Sequence, residues 1–429
     1  MPPTDGASRL PPALDTVLER VAAVPEWAWV AVAVALRAGF ALSLGDRLYQ
    51  IDEGAYDAAA RFLRSTGSLA NAEGRLVMFP IPPSFFAAFL ALLDHRAAPR
   101  LAQGLVSAAT AWMLGRAAED MTGSRRAGRA TLALAAVYPF FIYYSAMLMT
   151  ESLYVFFIVL GFWRLARSLA GAEAPPWEAA AAGAALGAAA LCRGAGAYIV
   201  FPILVLAGAA ACATRRWAWR SWGVAVVCWL LPLTGFAQRN KGVVGARTLD
   251  THGGITLLHG TRFLDLNEED TSRAQQALER EPFYAEAMAA SELERDAIFK
   301  RHAFAYMKED PLRMVRQWAR KLVNFWRFWP RTDKAYHETG TSSPGAGLGR
   351  KGLVLISLCF EPWLIVCGLL GLYSMLKHRP ACTWPLALFV LGTMLIHMLS
   401  VSQMRYRLPV MPWLMLGVAW LIASREERA

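Results

Sequence analysis

Residues 27–63 read WAWVAVAVALRAGFALSLGDRLYQIDEGAYDAAARFL. The run 27–45 is apolar and long enough to cross a hydrocarbon core as a helix, since about 20 residues at ~1.5 Å each cover ~30 Å. It carries one charge, Arg37, and ends at Gly45. Two adjacent carboxylates, Asp52 and Glu53, follow within a few residues. Such a stretch raises two questions: how many further spans the chain holds, and whether the acids merely cap a surface helix or react.

The whole chain answers the first. Of its 429 residues 56% are hydrophobic and only 18% charged, too apolar a balance for a soluble globular protein. Ten segments satisfy the length a bilayer requires: 27–45, 99–116, 127–145, 151–167, 177–192, 196–213, 221–237, 351–376, 382–400 and 408–423. The expected fold class is therefore an all-α polytopic membrane protein of about ten transmembrane helices. PIPPSFFAAFLALL (80–93) is short and opens with three prolines in four residues, so it reads as an interfacial helix on the outer surface rather than an eleventh span.

Basic clusters orient the spans. Arg116, Arg125, Arg126 and Arg129, then Arg164 and Arg167, Arg215, Arg216 and Arg220, and Lys377, His378 and Arg379 fall in alternate loops, with Arg425 and Arg428 in the tail. The positive-inside rule makes these loops cytoplasmic, and an even number of spans puts both termini there too. The division that follows is a cytoplasmic tail 1–26, a transmembrane module 27–237 with an external loop 46–98, an external region 238–350, closing spans 351–423 and a cytoplasmic tail 424–429. The expected location is a bacterial plasma (inner) membrane, with the large loops facing the periplasm or exterior. No cleavable signal peptide is evident in the polar, proline-bearing start, and no repeat of fixed period occurs.

In this setting the net charge of +11 indicates orientation and gives no sign of nucleic acid. Six cysteines lie in or beside apolar runs without C-x-x-C spacing, so neither structural disulfides nor a thiolate metal site is expected. His252 and His259 stand seven apart with no supporting ligand motif, so no metal site is assigned, although a divalent metal stays compatible with the acids. There is no P-loop and no G-x-G-x-x-G, hence no nucleotide cofactor. Gly183 and Gly187 form a G-x-x-x-G, which reads as close helix packing.

The second outer region ends in DPLRMVRQWARKLVNFW (310–326). Asp310 and Pro311 suit the N-cap and first turn of a helix. Leu312, Val315, Ala319, Leu322, Trp326 and Trp329 fall on one face, with Arg313, Arg316, Gln317, Arg320, Asn324 and Arg327 opposite, as in an amphipathic interfacial helix.

Each candidate for chemistry has two readings. Asp52 either caps the helix GAYDAAARFL or acts as a general base where lipid meets water. Glu151, in the nearly uncharged YPFFIYYSAMLMTESLYVFFIVLGFW (138–163), either starts a helix or is a functional acid, since a carboxylate beside a membrane-depth run is costly. Arg37 either snorkels to the headgroups or pairs inside the bundle. Arg193, Arg405 and Arg407 lie on the side where positive-inside statistics disfavour cations; they contact either lipid headgroups or a bound lipid phosphate.

The ordered set DEGAY (52–56), YPFFIYYSAMLMTESLY (138–154), ALCRGAGAY (190–198), GGITLLHG (253–260), DPLRMVRQWARKLVNFW and RYRLPVMPWLMLG (405–417) resembles the GT-C superfamily of polytopic glycosyltransferases. It is most similar to the branch of aminoarabinose transferases and protein O-mannosyltransferases (glycosyltransferase family 39-like), from the first span to the last. The resemblance implies transfer of a sugar from a polyprenyl-phosphate donor to a hydroxyl of a lipid, glycan or protein acceptor, with inversion. It implies that Asp52 is the catalytic carboxylate with Glu53 beside it, that Glu151 is a second acid of the site, and that Arg193, Arg405, Arg407 and Lys321 bind donor phosphate. Tyr56, in DEGAY, His259, in GGITLLHG, and Arg37 are further candidates. Where relatives often carry Asn after the glycine of the long loop, this chain has Thr261. The competing class is a transporter or flippase of lipid-linked sugars, which would carry charges near the midplane and related halves; a non-catalytic scaffold would leave the outward arginines unexplained.

Overall fold

The structure, a computed structural model, describes residues 12–70, 76–169, 174–214, 219–263, 271–329 and 349–426. Arg215, Arg216, Arg428 and the end of the second outer region lie outside these residues. The helices are α1 (Pro12–Ala23), α2 (Glu26–Ser43), α3 (Ile51–Thr66), α4 (Ile81–Leu92), α5 (Ala97–Thr122), α6 (Arg125–Val137), α7 (Pro139–Ala146), α8 (Glu151–Leu169), α9 (Pro176–Cys192), α10 (Ala195–Thr214), α11 (Trp219–Val244), α12 (Gly253–Leu258), α13 (Thr271–Glu279), α14 (Pro282–Ala289), α15 (Glu292–Glu309), α16 (Pro311–Phe325), α17 (Gly349–His378), α18 (Pro380–Leu399) and α19 (Met411–Glu426). Among the described residues there is no strand.

The chain is an all-helical, multi-span membrane protein. Helices α2, α8, α11, α17 and α18 are long and apolar enough to cross a bilayer. They leave large apolar side chains exposed, Leu231, Val366 and Leu370 among them, as lipid-facing surfaces do. The other five expected spans coincide with helices that fall short of that measure for local reasons. The apolar parts of α10 and α19 are shorter. Helix α5 carries Arg100, Arg116, Glu119 and Asp120, and α9 has only 17 residues. The third expected span is two helices, α6 and α7. Pro139 lacks an N–H and excludes its predecessor from the helical region, and Tyr138 is accordingly extended at φ −65°, ψ 117°. Helix α4, with 12 residues, rises only ~18 Å and is too short to cross.

The G-x-x-x-G of α9 faces α11. A Cβ on Gly183 would lie 2.1 Å from the Ala225 carbonyl oxygen, and one on Gly187 would lie 2.9 Å from that of Trp229. Only hydrogen fits between these backbones, which is how small residues bring membrane helices together. Gly183→Val is expected to lower the melting midpoint in detergent, corresponding to a loss of about 1–3 kcal/mol from overpacking. Gly223→Ala, where a Cβ meets nothing within 4 Å, should leave it unchanged; equal midpoints for the two would refute the close approach.

Helices α12, α14 and α15 enclose a small core of Leu258, Leu278, Phe283, Ala287, Ile298, Phe299 and Ala303, to which α13 contributes Leu278. Helix α16 is capped as its sequence suggests, the Arg313 N–H donating to Asp310 Oδ1 at 2.9 Å. Its apolar Leu312 and Val315 stay exposed, as on an interfacial helix, while Asn324 of the polar face turns inward. Val323 is also exposed, whereas Met314, Lys321 and Phe325 are buried. Two polar residues point inward because carbonyl oxygens await them: Asn324 Nδ2 donates to Ser402 O at 2.7 Å, and Lys321 Nζ donates to the carbonyls of Gly260 and Ser400.

Candidate functional site

The site forms where two pieces of non-helical backbone meet at the end of the bundle that α2 reaches with its C-terminus. The chain leaves α2, turns through Gly45 at φ 59°, and enters α3 from an extended Gln50. Between α7 and α8, residues 147–150 are not helical, and all four are buried. Buried irregular backbone has to find hydrogen bonds. Gln103 Nε2 donates to the carbonyls of Tyr144, Ser145 and Met147. The Leu148 N–H donates to Glu53 Oε1 at 3.0 Å.

Glu53 therefore differs from its neighbour. Its Oε2 accepts from the Tyr49 and Gln50 N–H groups at 2.7 and 2.9 Å, and its Oε1 accepts from Leu148 and, at 3.3 Å, from Arg100. The side chain is fully buried. Arg100, equally buried, also donates to the carbonyls of Gly45 and Arg47. The alternation of two carboxylates along the first turn of α3 thus sends one into the frame. The other, Asp52, exposes 47% of its side chain.

Asp52 Oδ2 accepts a hydrogen bond from Arg405 Nη1 at 2.7 Å, across 353 positions of sequence. Arg405 sits in a short 3₁₀ turn, Met404–Arg407, before α19. Its guanidinium lies 5.0 Å from the centre of the Tyr406 ring, while that of Arg193, at the end of α9, lies 4.5 Å from it. His397 stacks on the same ring, centroids 4.3 Å apart and planes 13° from parallel. Arg193 also pairs with Glu151, the first residue of α8, at 3.5 Å. Four distant segments thus deliver two arginines, two carboxylates and a tyrosine platform to one place. Arg405, then Arg193 and His252, hold the Asp52 carboxyl below its ordinary value of 3.8, so it is ionised at neutral pH.

The remaining candidates are placed elsewhere in the frame. Arg407 is buried; its Nη2 donates to Glu361 at 2.5 Å and its Nη1 to the carbonyls of Phe325 and Arg327. This correction to the phosphate-binding expectation has a plain cause: residues 405 and 407 flank Tyr406, and only the first turns toward Asp52. Arg37 does not snorkel, and it meets no carboxylate among the described residues. It is buried and donates to Ser107 Oγ and to the carbonyls of Ala33, Ala135 and Ala136, the last two beside the break at Tyr138. Lys321 clamps α16 as described, its amine pushed down to about 8 by burial. Tyr56 packs with the cluster of Ala60, Phe86 and Leu90. His259 opens a π-helical turn, His259–Phe263, and burial pushes its imidazole down to about 4. Among the described residues no three His, Cys, Asp or Glu side chains converge to hold a metal ion. Tyr406, His397, Arg100 and Glu361 were not singled out from sequence. An aromatic between two arginines in RYR was the one available signal, because the others depend on which distant segment each residue meets.

Residues 79–236 match the family described as dolichyl-phosphate-mannose-protein mannosyltransferase. The match includes Glu151 and Arg193, and it falls in the branch that the motif order resembles. Among solved structures, the chain is similar to the oligosaccharyltransferase AglB from Archaeoglobus fulgidus, determined with an inhibitory peptide and a dolichol-phosphate, at 12% identity and a TM-score of 0.48, covering 93% of this chain and 50% of that one. It is also similar to ArnT from Cupriavidus metallidurans, determined bound to undecaprenyl phosphate, at 16% identity and a TM-score of 0.40, covering 92% and 77%. The chain spans about half the length of the archaeal enzyme. None of the curated proteins matches it in sequence.

Proposed function

We propose that the chain is a membrane glycosyltransferase that moves a sugar from a polyprenyl-phosphate donor to an acceptor hydroxyl, with Asp52 as general base. The observation that carries this reading is the half-exposed Asp52 carboxylate held at 2.7 Å by Arg405, with Arg193 and Glu151 beside it. The family matched over 79–236 is described by a sugar on a polyprenyl phosphate, which supports the class of donor.

In the proposed mechanism Asp52 accepts the proton of the acceptor hydroxyl. The oxygen attacks the anomeric carbon from the face opposite the phosphate, and the bond from that carbon to the phosphate oxygen breaks with inversion. Negative charge grows on the departing polyprenyl phosphate, where Arg405 and Arg193 offer guanidinium donors. Glu151 orients Arg193, and Tyr406 keeps the two cations near one another through its ring face. Glu53 is assigned to holding the backbone of 147–150, Arg407 to anchoring the turn that carries Arg405, and Lys321 to fixing α16. The site is assigned to the outer face of the membrane, as the distribution of basic loops implies.

The test is reconstitution of the full chain in liposomes with polyprenyl-phosphate hexose, pentose and aminopentose donors, reading release of polyprenyl phosphate and the anomeric configuration of the product. A retained configuration would refute the single displacement, and passage of intact donor across the bilayer without cleavage would favour transport. Arg405→Ala is expected to raise the donor KM about 10–100-fold, the worth of a charge-assisted contact. The same change removes the principal cause holding Asp52 down and leaves burial, which raises it. The acid limb of activity should therefore move to higher pH in the variant. An unmoved limb would mean that Arg405 does not govern the ionisation of Asp52.

A further inference from the structure

A second cationic site lies at the other end of α2, some 27 Å of helix away from its C-terminal end. An open depression of about 350 Å³ is lined by Ala22 and Ala23 at the end of α1, by Val24 and Pro25 of the turn into α2, and by Arg125, Arg126 and Arg129 of α6. The three arginines occupy the first turn and a half of α6, so their charges add to the positive end of that helix.

Among the described residues the acids do not use up the donors of Arg125 and Arg129. Arg126 donates to Asp15 at 2.5 Å, tying α6 to α1. Arg129 pairs with Glu26 through Nη2 at 3.5 Å, but Glu26 also accepts from Trp112 Nε1. Arg129 Nη1 is buried without a hydrogen-bond partner among the described residues. Arg125 is exposed and meets no acid among them. A buried guanidinium N–H left unmade costs free energy that an incoming oxygen acceptor would recover.

The surroundings name the kind of acceptor. Glu26 begins a span apolar enough to cross a membrane, so the depression lies at the level of the headgroups. On the two helices that meet there, Leu14 and Val17 of α1 and Trp27 of α2 expose 44%, 54% and 73% of their surface. An exposed apolar pair on a short surface helix and a Trp at the start of a span are the features that sit among lipid headgroups and the first methylenes. We propose that this depression binds the phosphate of an anionic phospholipid, with Arg125 and Arg129 as its donors and the exposed face of α1 against the acyl chains. The inference is independent of the chemistry assigned to Asp52.

The test uses the full chain in detergent and native mass spectrometry with phosphatidylglycerol, phosphatidylcholine and soluble glycerol 1-phosphate as probes. Retention of phosphatidylglycerol over phosphatidylcholine is expected, falling about fivefold for each arginine removed in Arg125→Gln and Arg125→Gln/Arg129→Gln. Lys377→Gln, which removes an exposed charge from the end of α17, should leave retention unchanged. The single variant at exposed Arg125 guards against a folding defect from the change at Arg129. Equal loss with Lys377→Gln would reduce the effect to general surface charge and overturn the site. Glycerol 1-phosphate displacing the lipid at equal concentration would overturn the assignment to a lipid, and absence of selectivity in the wild-type chain would overturn both.

Discussion

Asp52→Asn should abolish sugar transfer, lowering kcat by about 10²–10⁴, the usual worth of a positioned general base, while the donor KM stays the same or falls. The separation of the two constants is the informative part. Asn has nearly the shape of Asp and keeps an oxygen for Arg405 Nη1, so the 2.7 Å contact and the start of α3 survive. The variant loses the ability to take a proton, and it also loses a negative charge beside two arginines. A phosphate then meets a more positive site. If Asp52 served only to neutralise Arg405, removing its charge would leave kcat near normal. Turnover within tenfold of the wild type, or a donor KM raised in parallel with the fall in kcat, would remove Asp52 as the base. Glu53→Gln is not the matching control, because it would turn an amide N–H₂ toward backbone N–H groups that now donate to a carboxylate.

How much of this was legible beforehand depends on how local the cause is. The apolar runs, the cap at Asp310, the small residues of α9 and the break at Pro139 follow from neighbouring residues, and all but the break were read directly. The pairing of Asp52 with Arg405 is different. Both were chosen from sequence, Asp52 by its motif and Arg405 by lying on the side where cations are disfavoured, but nothing local says that they touch across 353 positions. The residues placed in the frame share one origin. Glu53, Arg407, Lys321 and Arg37 are charged residues next to the right segments, and in a water-poor interior such residues are also used to satisfy irregular backbone. Sequence spacing cannot tell a carboxylate facing substrate from one facing the N–H of Leu148. That distinction depends on 147–150 leaving the helix, and on Gln103 and Glu53 being the groups that reach it.

Glu361→Gln should be the most destabilising single change considered, by about 3–5 kcal/mol, as when one partner of a buried ion pair is lost. Glu361 lies inside α17, where the helix is apolar enough to cross the membrane. Its Oε1 accepts from the Tyr138 hydroxyl and its Oε2 from Arg407, and neither oxygen reaches solvent. Tyr138 is the extended residue between α6 and α7, and Arg407 closes the turn that presents Arg405. One carboxylate thus fastens the helix break on one side and the cationic turn on the other. Removing its charge leaves the Arg407 guanidinium buried with only carbonyl partners. The expected result is a lower melting midpoint in detergent and a poor yield of folded protein. Glu361→Leu combined with Arg407→Met discriminates the two roles of the pair. An apolar replacement of both partners should recover most of the stability, since buried pairs are often matched by hydrophobic packing of similar volume. It should not recover transfer, because Arg405 would sit on a turn no longer held to α17 or to the carbonyls of Phe325 and Arg327. Full activity in the stable double variant would show that Arg405 finds Asp52 without that anchor, and would confine Glu361 to stability alone.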